Sequence, residues 1–143
     1  MIKPYYKHKF VTIYCDDCYE VLPQLPSNSI NLVVTDPPYF DVAKEAWDKQ
    51  WHTPEQYLEW MIGWTLLISD LLVEGGSFYV FGGIGSKNRF IFWDYVKEVS
   101  TFLNFGSYIN WRRFRGKGYK GLHNNWPDSR EDIAYFIKGE KPK

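Results

Sequence analysis

The sequence predicts an α/β layered fold, and three observations carry that reading. Short runs rich in β-branched residues alternate with segments whose apolar residues recur at helical spacing. Hydrophobic residues make up 45% of the chain and aromatics 20%, which excludes disorder and allows a packed core. At 143 residues the chain fits one domain.

The elements follow in order. Phe10 to Cys15 reads as a first strand, and Asp17 to Leu25 as a short helical piece curtailed by Pro23 and Pro26. Ile30 to Thr35 is a continuous apolar run of the kind expected for a strand buried on both faces. Asp41 to His52 lacks periodicity and reads as loop. Thr53-Pro54-Glu55-Gln56 then opens a helix: Thr53 can cap, Pro54 suits the first helical position and Gln56 can close a capping box. Tyr57, Trp60, Met61, Trp64, Leu67, Ile68 and Leu71 line one face of it, and Gly75-Gly76 is expected to stop it. Ser77 to Phe81 is a strand, Ser86 to Leu103 a second amphipathic helix, and Tyr108 to Phe114 and Ile133 to Lys138 two last strands.

Composition narrows the function classes. The formal net charge is zero, which argues against a general polyanion binder and makes local charge clusters informative. Cys15 and Cys18 form a lone C-x-x-C with no second pair to complete a zinc site, so they are expected to be reduced structural thiols of a cytoplasmic protein. Met1 to Phe10 is polar and basic, unlike a signal peptide, and no stretch approaches a membrane span. His8, His52 and His123 are scattered and support no catalytic histidine constellation. Gly82-Gly83-Ile84-Gly85 meets neither the phosphate-loop nor the dinucleotide pattern, and reads as a flexible strand exit.

The strongest local signal is the strand Ile30 to Thr35 running into Asp36-Pro37-Pro38-Tyr39. Prolines cannot continue a ladder, so they fix a stiff turn at the carboxyl end of a strand, where open α/β sheets bind ligands. A carboxylate on Asp36 beside the Pro37 carbonyl offers two acceptors for a planar amino group, and the Tyr39 ring can stack on the base that bears it. A plain turn with a polar entry would use the same residues. A second signal is charge. No acidic residue occurs between Glu98 and Asp128, while Arg112, Arg113, Arg115, Lys117 and Lys120 crowd a stretch containing Phe114 and Tyr119. Such a loop suits phosphates, and a solvated edge hairpin would carry the same pattern.

Thr35-Asp36-Pro37-Pro38-Tyr39 resembles the DPPY motif of S-adenosylmethionine-dependent amino-methyltransferases. The stretch Ile13 to Tyr39 is similar throughout to the beginning of the permuted, beta-class bacterial DNA methyltransferases of restriction-modification systems. LLVEGGSFYVFGG, ending at Gly83, resembles the family's helix end, double glycine and fifth strand. Asn110-Trp111 and EDIAYFIKG, from Glu131 to Gly139, resemble its last strands. Asn31 and Val73-Glu74 depart from the family's usual Asp and Lys-Pro.

The resemblance implies a partial class I methyltransferase sheet, Rossmann-like, with flanking helices and a closing antiparallel strand pair. It implies methyl transfer from S-adenosylmethionine to the N6 amine of a flipped adenine in DNA. Asp36, Pro37, Pro38 and Tyr39 would form the catalytic set, Asp17 and Asp36 would border the cofactor, and the basic stretch would contact DNA. Cytosine-N4 or RNA methylation, a glutamine acceptor, and an inactive nucleic-acid-binding remnant are the alternatives. The family's cofactor loop and target-recognition segments have no counterpart here. Residues 1–143 are therefore expected to be the catalytic part of a methyltransferase domain, completed by a further segment or a partner subunit. Self-association through the uncovered edge of Ile30 to Thr35 is the other expectation.

Overall fold

The computed structural model describes residues 2–40, 50–83, 90–117 and 128–142. It is a mixed α/β fold, as expected, with a four-stranded sheet and helices packed on one face.

The chain begins with a two-stranded ribbon of β1 (Tyr6–His8) and β2 (Val11–Ile13), antiparallel and separate from the main sheet. The expected first strand is thus shorter than Phe10 to Cys15 and pairs only with a strand that shows no apolar alternation in sequence. Asp17 caps α1 (Cys18–Val21), its carboxylate accepting from the Tyr19 amide, and a 3-10 turn at Leu22–Gln24, which contains Pro23, ends the helical piece before the extended Leu25.

β3 (Ile30–Thr35) lies at the sheet edge and runs parallel to β4 (Leu72–Gly82). Between them, α2 (Pro54–Leu71) starts as expected: the Thr53 hydroxyl accepts from the Gln56 amide. The Gln56 side chain reaches back to the His52 amide, one residue before the cap, at 2.9 Å. Gly75-Gly76 does not stop this helix. Leu72 is already extended, and the Lys138 ammonium closes the helix end by donating to the Ser69 and Leu72 carbonyls at 2.7 and 2.9 Å. The two glycines lie inside β4, where the register with β3 slips between Ile30 and Leu32. Gly75 takes a φ of 76°, and a Cβ on Gly76 would come within 2.8 Å of the Val73 carbonyl oxygen, so the irregularity needs both.

α3 (Ile91–Val99) ends before the expected Leu103, and Ser86 to Arg89 of the expected helix lie outside the described residues. β5 (Asn104–Lys117) and β6 (Asp128–Ile137) form the antiparallel pair, and the sheet order is β3-β4-β6-β5.

The core lies on one face. Phe78, Val80, Ala134 and Phe136 point from β4 and β6 onto Met61, Trp64 and Ile68 of α2 and Tyr95, Val96 and Val99 of α3. The helices are joined by a bond between the Thr65 and Tyr95 hydroxyls, 2.8 Å long and buried. The other face is different. Leu32 and Val34 are 55% and 59% exposed, which corrects the expectation that β3 is buried on both faces. Their apolar character follows from the side chains; their cover does not exist among the described residues. Register continues this face across the sheet through Tyr79 and Tyr135, whose rings stack at 4.5 Å, to Ile109 and Trp111.

Candidate active site

The register gathers one end of the sheet. Thr35 pairs with Val80, Val80 with Ala134, and Ala134 with Tyr108. Residues after Thr35, Val80 and Tyr108, and those before Ala134, therefore extend past the same end. That end holds the Asp36 to Tyr39 turn, Gly82-Gly83, Asp132 and the start of the basic stretch.

Asp36 is exposed, Pro37 is buried, and Phe40 closes the turn by burying its ring in the core cluster. Phe40 meets the Tyr57 ring at 5.6 Å. The Tyr57 hydroxyl donates to the Pro38 carbonyl at 2.9 Å. Trp51 packs edge-on against Tyr57 at 4.9 Å and lies 4.6 Å from Trp60, so an aromatic wall from the first half of α2 backs the turn. On the other side, the Tyr39 ring rests on Gly83: a Cβ there would stand 2.8 Å from two of its ring carbons. Gly82 likewise leaves room for the Phe92 ring. These glycines serve close packing, which replaces the reading of a flexible strand exit for the two of them that are described.

Asp17 stands on a separate element. One of its oxygens accepts from the Tyr19 amide at 2.9 Å, and the side chain is exposed. The Tyr19 hydroxyl donates to the Trp60 carbonyl at 2.8 Å. Tyr57 and Trp60 are neighbours on one face of α2, so the same helix turn holds both the Asp36 turn and the segment bearing Asp17. Cys15 and Cys18 are free thiols, and Cys18 is pushed up by burial and by the Asp17 carboxylate.

Of the basic stretch, Arg112, Arg113, Arg115 and Lys117 lie on β5, and Lys120 lies outside the described residues. Arg112 is exposed and pairs across the ladder with Arg130, which bonds the buried Asp132 carboxylate at 3.3 Å.

A sequence profile of the DNA methylase family, the N6/N4 methyltransferases, matches residues 30–143. The chain belongs to this DNA methylase family. The type II methyltransferase M.BamHI of Bacillus amyloliquefaciens is 28% identical over 146 residues, covering 99% of this chain and 32% of the relative. The solved PvuII DNA methyltransferase, described as cytosine-N4-specific, superposes with a TM-score of 0.80 at 22% identity, over 99% of this chain and 54% of that one. A complex of M1.HpyAVI with S-adenosylmethionine superposes with a TM-score of 0.60 at 17% identity, over 91% of this chain and 56% of that one. The chain thus spans between a third and just over half the length of these DNA methylase relatives.

Within this DNA methylase chain, three contributors to the site escape the sequence. Tyr57 reads only as one apolar residue of a helical stripe, Gly83 as one of several clustered glycines, and Arg130, set among Asp128, Glu131 and Asp132, draws no reading at all. A tyrosine four residues past a helix cap could have signalled a polar role for its hydroxyl. Nothing in sequence signals which carbonyl it meets.

Proposed function

We propose that this chain is the catalytic part of an S-adenosylmethionine-dependent DNA methyltransferase that modifies the N6 amine of a flipped-out adenine. The observation that carries the reading is the exposed Asp36 carboxylate at the end of β3, in a turn stiffened by Pro37 and Pro38 and followed by the Tyr39 ring.

Asp36 and the Pro37 carbonyl accept the two hydrogens of the target amine. These bonds favour a more tetrahedral nitrogen and aim its lone pair, so catalysis comes chiefly from positioning and electrostatics. Tyr39 replaces part of the stacking that the base loses on leaving the duplex. S-adenosylmethionine, when bound, supplies an electrophilic methyl group. Asp17 fits its adenosine side, because its carboxylate is exposed and each oxygen can accept more than one hydrogen bond beyond the one from the Tyr19 amide. Arg112, Arg113, Arg115 and Lys117, with Lys120, neutralise backbone phosphates.

The cofactor loop and target-recognition segments are assigned to polypeptide outside this sequence, as a continuation of the chain or as a partner subunit. The support is that β3 has a strand partner on one side only among the described residues, and that Leu32 and Val34 are exposed, since an uncovered apolar edge strand pairs readily with another strand. Solution mass and cofactor titration of the purified chain test this. A monodisperse monomer that binds S-adenosylmethionine with micromolar affinity would show the site to be whole already.

The cytosine-N4 specificity named for the PvuII neighbour favours a second reading, transfer to the exocyclic amine of cytosine. One experiment separates the two. DNA is incubated with cofactor and the protein in its complete form, and the released nucleosides are identified by mass. N6-methyldeoxyadenosine, lost in Asp36→Ala, is the expected product; N4-methyldeoxycytidine would establish the second reading. No methylated base from the wild-type protein would leave a nucleic-acid-binding remnant.

A further inference from the structure

The Asp36 turn contains two adjacent proline carbonyls, and the chemistry above uses one of them. Both prolines hold φ near about −65°, and an extended proline segment turns by about 120° per residue, so neighbouring carbonyls diverge. Because the ring of Pro38 restricts φ, holding the direction of its carbonyl limits where the Pro37 carbonyl can point. The Pro38 carbonyl is fixed: it accepts from Tyr57, a residue only 5% exposed that is wedged between Phe40 and Trp51. The Tyr39 ring is limited separately by Gly83, where any side chain would overlap it.

We propose that Tyr57 and Gly83 are positioning residues of the methyl-transfer site. Tyr57 engages the Pro38 carbonyl and thereby leaves the Pro37 carbonyl, beside Asp36, as the backbone acceptor of the target amine. Gly83 sets the depth at which the Tyr39 ring meets the base. The inference deepens the methyltransferase reading and rests on it for its functional meaning; its structural content stands apart.

Tyr57→Phe keeps the ring in its aromatic packing and removes only the bond to Pro38. In the purified chain, backbone order parameters at Tyr39 and Phe40 are expected to fall from about 0.85 toward about 0.6, while those of β4 stay unchanged. In the complete enzyme, kcat for methylation is expected to drop at least about tenfold, with the cofactor KM unchanged. Gly83→Ala is expected to lower kcat as well, and to cost nothing further in a Tyr39→Ala background, where no ring remains to be displaced.

Unchanged order parameters in Tyr57→Phe overturn the assignment of Tyr57, whatever the methylation result. A fall in melting temperature with kcat and order parameters unchanged does the same, by reducing Tyr57 to a packing residue. An undiminished extra loss from Gly83→Ala in the Tyr39→Ala background overturns the assignment of Gly83. If the wild-type enzyme methylates no DNA, the functional reading fails, and the order parameters still decide whether Tyr57 holds the turn.

Discussion

Gly63 occupies the middle of α2, where alanine is ordinarily the better residue by about 1 kcal/mol. Here the expected sign is reversed. A Cβ on Gly63 would overlap the Tyr19 hydroxyl and stand 3.3 Å from the ring carbon that bears it. Gly63→Ala therefore gains about 1 kcal/mol of helix propensity but loses the 2.8 Å bond from Tyr19 to the Trp60 carbonyl, worth about 1 kcal/mol. Moving the ring out of its rotamer costs about another 1 kcal/mol. The net expectation is destabilisation by about 1 kcal/mol. In a Tyr19→Phe background the overlapping atom is gone and the remaining 3.3 Å approach needs only a small shift, so Gly63→Ala should stabilise by about 0.5 kcal/mol. Urea unfolding of the four proteins measures both signs, with a coupling of about 1.5 kcal/mol between the sites. Stabilisation by Gly63→Ala in both backgrounds would refute the idea that Tyr19 docks the Asp17 segment onto α2.

Three other outcomes are expected. Tyr39→Ala should reduce methylation severely and Tyr39→Phe or Tyr39→Trp mildly, because stacking needs a ring more than a hydroxyl; equal losses for Ala and Phe in single-turnover assays would point to the hydroxyl. Neutralising Arg112, Arg113 and Arg115 should weaken DNA binding and flatten its log–log salt slope by about 0.9 for each phosphate no longer neutralised, without changing the modified base; an unchanged slope would make the cluster a solvated edge. Tyr108 carries a buried hydroxyl with no hydrogen-bond partner among the described residues, and burial together with the Asp132 carboxylate raises its pKa from 10.0 to about 12. Because the folded value lies above the unfolded one, the ionisation of Tyr108 leaves stability untouched below pH 10.0 and lowers it as pH rises toward about 12. Tyr108→Phe should flatten that alkaline loss and stabilise at neutral pH by about 1 kcal/mol; an unaltered urea midpoint profile would count against it.

What the sequence determined was local. Capping at Thr53, the helical stripe of α2 and the run of β3 into Asp36-Pro37-Pro38-Tyr39 depend on neighbours a few residues away, so pattern and propensity suffice to find them. The double glycine misled for the same reason. Read locally it ends a helix, but the chain is already extended at Leu72, and the carbonyls there are met by Lys138, which is 69 residues from Ser69 in the chain and adjacent to it in space. Apolar composition announced β3 as a strand yet could not say how much of it is covered, because cover is a property of what packs on Leu32 and Val34. The site divides along the same line. Asp36 and Tyr39 announce themselves by type and order, whereas Tyr57 on the Pro38 carbonyl and Gly83 under the Tyr39 ring follow from how α2 and β4 meet the turn. Covalent neighbours place a carboxylate, two carbonyls and a ring in one turn; only the tertiary packing decides which carbonyl is engaged and how closely the ring is packed, because those depend on contacts between segments that the chain order leaves apart.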